Sequence, residues 1–170
     1  WIAVTIAFGI VLSKEQGLVF SLIISFVAVG LGFLLHELAH KFVAQKFNYF
    51  AEFFADDKML LAAIAMSFLG FVFAAPGAVV IQGPKNVKKN GLISVAGPLM
   101  NIILAIVFLA LTLVSDGFVK TLFMFGFRIN SWMAVFNMLP FWILDGKKVW
   151  DWDKKVFWVA MIMAAGLLFI

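Results

Sequence analysis

The 170-residue chain is 65% hydrophobic and 13% charged, with a mean hydropathy of +1.10 and a net charge of +4. That composition excludes an ordinary soluble domain, which needs more polar surface. The absence of cysteine excludes disulfides, thiolate ligands and thiol catalysis. The lysine excess reads as a topology signal of a membrane protein and not as a nucleic-acid-binding surface.

Apolar runs cover roughly 1–12, 17–47, 59–81, 92–114, 119–144 and 156–170. A helix needs about 20 residues to cross a hydrocarbon core of roughly 30 Å. Run 1–12 is shorter than that and reads as the end of a truncated helix, not as a signal peptide. The chain starts without Met and stops inside Leu167-Leu168-Phe169-Ile170. The expectation is therefore one membrane-embedded domain over residues 1–170, cut at both ends. Runs 17–47 and 92–114 predict helices. Run 59–81 is broken at Pro76-Gly77 and continues into the β-branched Val79-Val80-Ile81, which predicts a helix, a turn and an extended stretch. The fold class expected is an all-α membrane protein, a bundle of transmembrane helices with a re-entrant, β-hairpin-like segment near residues 70–83.

The chemistry begins at His36-Glu37-Leu38-Ala39-His40. Residues four apart share a helix face, so both imidazoles can reach one ion. Glu37 lies one step round, close enough to hold water beside the metal without taking a coordination position. This is the zinc-protease arrangement of two histidine ligands and a glutamate base. The competing reading is a pair of structural histidines. In lipid it is the weaker one, because ionisable groups there are costly and usually functional.

A catalytic zinc usually has three protein ligands and an open position. With two histidines in all and no cysteine, the third ligand should be a carboxylate. Glu15 lies at the far end of the motif helix and Glu52 in a polar loop. Asp56, Asp57, Asp116, Asp151 and Asp153 fall in polar connections, where a solvated charge is the simpler reading. Asp145 ends an apolar run, follows Pro140 and precedes Gly146, which together can aim its carboxylate inward. It is the favoured third ligand.

With these residues the sequence resembles the site-2 protease family of intramembrane zinc metalloproteases. The resemblance covers roughly residues 17–150, the expected catalytic core. It rests on the His36–His40 motif, on Ala96-Gly97-Pro98-Leu99-Met100-Asn101, and on Asn137-Met138-Leu139-Pro140 followed by Leu144-Asp145-Gly146. It implies His36, His40 and Asp145 as ligands of one zinc ion per chain, with Glu37 as catalytic base. It also implies that Asn137 positions substrate or stabilises the developing oxyanion. The competing reading of Asn137 is an amide that satisfies backbone freed by Pro140, and Asn101 reads as a capping or packing residue.

Topology adds an independent expectation. If 59–81 re-enters, Lys41, Lys46, Lys58, Lys85, Lys88, Lys89, Lys147, Lys148, Lys154 and Lys155 face Lys14 and Lys120, ten against two. If it spans, the division is eight against four. The cleaner asymmetry places the active site toward the cytoplasmic side of the cell membrane. Trp142, Trp150, Trp152 and Trp158 would form an interfacial belt at that end. An extended stretch from Ala78 to Gln82 could pair with an unwound substrate. The expected activity is hydrolysis of peptide bonds in or near transmembrane segments of membrane-anchored proteins. The partners are that substrate and the lipid bilayer, with no nucleic acid. The alternative is a non-catalytic metal-binding membrane subunit or transporter.

Overall fold

A computed structural model describes residues 2–70, 72, 77–141 and 143–170, excluding the side chains of residues 14–16. The chain opens with α1 (Ile2–Gln16) and reverses at Gly17, whose φ of 80° suits a residue without a Cβ. It then runs through α2 (Leu18–Ile24), a π-helical stretch (Ser25–Gly30) and α3 (Leu31–Lys46). These three form one continuous helix of 29 residues. Next come β1 (Phe50–Ala55), α4 (Asp57–Ser67) and β2 (Gly77–Gln82). The remaining helices are α5 (Val87–Leu113), α6 (Gly117–Asn137), α7 (Asp145–Trp152) and α8 (Lys154–Leu167).

The fold is therefore mostly helical, with a two-stranded antiparallel sheet. Leu18–Lys46 and the 27-residue α5 are both long and apolar enough to cross a membrane. α5 turns Ile103, Ile106, Val107 and Leu113 outward. By contrast, α4 has 11 residues and rises about 16 Å, roughly half of a hydrocarbon core. As expected, run 59–81 begins as a helix and ends as a strand. Of the expected re-entrant segment, residues 71 and 73–76 lie outside the described residues, as does Trp142 of the expected aromatic belt.

Two details differ from the sequence expectation. The stretch expected to open a polar loop at Glu52 is β1, paired with β2 in the register Phe50↔Gln82, Phe53↔Val79 and Ala55↔Gly77. After α3 the chain turns at Asn48, which adopts a left-handed φ of 59°, and Tyr49 donates from its hydroxyl to the Pro84 carbonyl at 2.6 Å. This ties the two ends of the β1–α4–β2 excursion together. Asp145, expected at the close of an apolar run, opens α7 instead. The reason is Pro140, which has no N–H to give and disfavours helical geometry in the residue before it.

The helical ends carry their own caps. Asp56 Oδ1 accepts from the Lys58 and Met59 N–H groups, and Asp153 Oδ1 accepts from those of Lys155 and Val156. Asn86 Oδ1 accepts from the Lys89 N–H at the start of α5. Each satisfies donors that a helix start leaves orphaned.

α5 is the central helix, in contact with α3, α6, α7 and α8. Small residues let it approach its neighbours closely. A Cβ on Gly126 of α6 would fall 2.6 Å from the Phe108 ring, and one on Gly91 would strike Trp152 of α7. Val95, Met138, Val149, Phe157 and Ala160 fill the space where α5, α7 and α8 meet. The α5–α6 crossing yields a test. Gly126→Ala has to separate the helices or turn the Phe108 ring, and overpacking of this kind costs about 1–3 kcal/mol. Thermal unfolding in detergent should show a lower midpoint for this variant, and an unchanged midpoint would contradict the close approach.

Candidate metal centre

His36 and His40 stand one turn apart on α3, and Asp145 is the first residue of α7. All three are buried, at 3%, 6% and 9% exposure. His36 Nε2 and His40 Nε2 lie 3.0 Å apart. Asp145 Oδ2 lies 3.3 Å from the first and 3.0 Å from the second. Tetrahedral zinc with bonds of about 2.0–2.2 Å sets its ligand atoms about 3.3 Å from one another. The spacing observed is that of a ligand set closed around one ion.

The outer ring nitrogens explain why the inner ones are available. His40 Nδ1 is 2.8 Å from the Ile93 carbonyl, which can only accept, so the proton resides on Nδ1. His36 Nδ1 faces Asn101 Oδ1 at 2.5 Å and takes the same tautomer. Each Nε2 then presents a lone pair to the other and to a carboxylate oxygen. Three such atoms repel unless a proton or a cation sits among them. Asp145 stands at the start of α7, where the helix dipole suits an anion. Its second oxygen lies 3.8 Å from Lys148 Nζ.

Two glycines make the convergence possible. A Cβ on Gly97 of α5 would collide with both Nε2 atoms, so only glycine lets α5 pass this close to the imidazoles. A Cβ on Gly146 would run into the Met138 and Leu139 carbonyls, so only glycine lets α7 start where Asp145 reaches the histidines. These contacts give a physical basis for the glycines of the Ala96-Gly97-Pro98 and Leu144-Asp145-Gly146 segments.

Glu37 is buried beside the trio but outside it, and its Oε2 accepts the Val79 N–H of β2 at 2.8 Å. Asn137 closes α6, and its Nδ2 donates to the Met133 carbonyl of its own helix at 3.0 Å. The structure thus brings His36, His40 and Asp145 together, sets Glu37 alongside, and gives Asn137 a local bond. It also shows a partner that sequence reasoning treated as packing: Asn101, fully buried on α5, holds His36.

The donor set, two neutral imidazoles and a carboxylate, fits zinc. Asp145→Ala should cost more affinity than the about 10–100-fold lost when an outer hydrogen bond to a ligand is removed. Gly97→Ala, which leaves every ligand in place, should also lower zinc affinity, because its methyl occupies the space between the imidazoles. Titration of the metal-free protein with zinc against a chelating indicator measures both, and undiminished affinity in Gly97→Ala would contradict the packing described.

No family model and no solved structure matches the chain. It is 36% identical over 167 residues to a protein of Methanocaldococcus jannaschii named "Putative zinc metalloprotease". The match covers 96% of this chain and 87% of that protein. Likeness of that extent, with a buried pair of histidines and a carboxylate at ligand spacing, places the chain in the family of that zinc metalloprotease.

Proposed function

We propose that the chain is an intramembrane zinc endopeptidase of the site-2 protease type, which hydrolyses peptide bonds in or beside transmembrane segments of membrane-anchored proteins. The observation that carries this reading is the location of His36, Glu37 and His40 on Leu18–Lys46, a helix long and apolar enough to cross a membrane. Ionisable groups in such a helix are expensive and need a use. The apolar outward face of α5 supports contact with lipid, and the lysine distribution supports a site facing the cytoplasm.

His36, His40 and Asp145 would hold the zinc, which would supply Lewis acidity toward a peptide carbonyl and toward water. Glu37, next to His36 in the chain and buried on the same helix, takes the proton from the attacking water and delivers it to the departing amine nitrogen. Asn137 supplies an N–H to the developing oxyanion once its amide leaves the Met133 carbonyl.

The substrate must reach the site as an extended chain, because the amides of a helix are shielded by their neighbours. β2 supports such a presentation. Val79 points its N–H at Glu37 and away from β1, and in an antiparallel ladder Gly77 and Ile81 point their backbone groups the same way. The edge beside the base is thus equipped to pair with a strand.

The rival, a metal-binding membrane subunit or transporter, leaves Glu37 without a role in binding, since the three ligands are complete without it. The deciding experiment is cleavage of a single-pass membrane protein in detergent by wild type and Glu37→Gln, with bound zinc measured in both. The expected result is a loss of about 10²–10⁴-fold in rate with zinc retained. Zinc bound equally and no cleavage by wild type across a panel of such substrates would instead favour the rival.

A further inference from the structure

We propose that Asn130, on α6, is a positioning residue that fixes the proton of His36 on Nδ1 through Asn101, and so keeps Nε2 open to the metal. The inference rests on the zinc-site reading above. It goes beyond that reading because Asn130 touches neither His36 nor any of the residues assigned to the reaction.

The polarity of the chain of contacts is forced from its far end. Asn130 is fully buried, and its Nδ2 donates to two backbone carbonyls, Ala28 at 3.2 Å and Gly126 at 2.9 Å. Carbonyls cannot donate, so the amide of Asn130 has one orientation. Its Oδ1 therefore faces Asn101, and there it accepts from Asn101 Nδ2 at 2.8 Å. Asn101 Nδ2 also donates to the Gly32 carbonyl at 3.2 Å, which fixes the second amide the same way round. Asn101 Oδ1 is then left as the atom 2.5 Å from His36 Nδ1, and two acceptors cannot meet at that distance, so Nδ1 carries the hydrogen. His40 needs no such relay, because the Ile93 carbonyl sets its tautomer directly.

The surroundings are shaped for this chain. A Cβ on Gly32 would fall 2.5 Å from Asn130 Oδ1, so the bare glycine on α3 is what admits the second asparagine. In an apolar interior a half-satisfied amide is costly, and a network in which every group is paired has one arrangement only.

The test uses the full chain in detergent, freed of zinc and titrated with zinc ions. Asn130→Leu keeps the volume and removes the shorter of the two bonds that orient Asn101, leaving only the 3.2 Å bond to the Gly32 carbonyl to resist inversion. Asn130→Asp keeps an acceptor for Asn101 whether its carboxyl is ionised or not. The relay predicts zinc binding weakened about 10–100-fold in Asn130→Leu and within about threefold of wild type in Asn130→Asp. Nitrogen-15 spectra of the imidazoles in the metal-free protein give a readout that a general loss of packing does not imitate. The ring nitrogens of His36 should move toward a mixture of tautomers in Asn130→Leu, while those of His40 stay put. Wild-type zinc affinity in Asn130→Leu, or equal movement of both histidines, would overturn the proposal. Should Asn130→Leu fail to fold, Gly32→Ala presses on Asn130 Oδ1 without removing a polar group and is expected to give the same His36 signature. A wild-type chain that takes up no zinc would defeat the zinc-protease reading instead, and the tautomer of His36 in the metal-free chain would still decide the relay.

Discussion

Three electron-pair donors held against one another in an apolar interior are the constraint on which the rest of this structure depends. His36 Nε2, His40 Nε2 and Asp145 Oδ2 lie 3.0–3.3 Å apart with no hydrogen available from the ring nitrogens that face them. Such a cluster is unfavourable alone and favourable around a cation. It also has to be assembled from segments more than a hundred residues apart in sequence. α5 supplies the contacts that turn both imidazoles, Asn101 for His36 and the Ile93 carbonyl for His40.

Close approach is obtained by leaving side chains out. Gly97 brings α5 to the imidazoles, Gly146 brings α7 to α6, and Gly32 opens α3 to Asn130. In a chain that exposes so many large hydrophobic side chains, burial of hydrocarbon distinguishes poorly between one helix pairing and another. Shape and hydrogen bonds must do so instead. The chain of amides from Asn130 to His36 and the bond from Ser25 Oγ to the Thr5 carbonyl, 2.7 Å, are polar fasteners of that kind.

The meeting of His36, His40 and Asp145 is legible because its signal is local or exclusionary. A spacing of four puts His36 and His40 on one face whatever the tertiary structure, and with no cysteine or third histidine a carboxylate was the remaining choice. Asp145 stood out from the other aspartates by its apolar surroundings and its Pro140 and Gly146 neighbours. What stayed hidden depends on distant partners. β1 has no alternating pattern, since Ala51 alone of its six residues is buried, and it is a strand because β2 pairs with it. Asp56 and Asp153 read as solvated charges, although an aspartate directly before a helix is a capping signal that could have been used. Asn130 could not be read at all, because beyond its local bond to Gly126 its partners Ala28 and Asn101 lie 102 and 29 residues away.

The bond between Glu37 and the Val79 N–H has a consequence for self-association. A sheet of two strands leaves β2 with one edge that no strand covers, and proteins usually guard such edges with charge. Here the guard is Glu37 itself, whose carboxylate occupies the middle donor of β2 and offers no hydrogen to an arriving strand. A second molecule would have to strip that donor from the charge to zip onto β2. Loss of Glu37 would therefore do two things at once, removing the carboxylate beside the histidines and leaving the Val79 N–H without its acceptor.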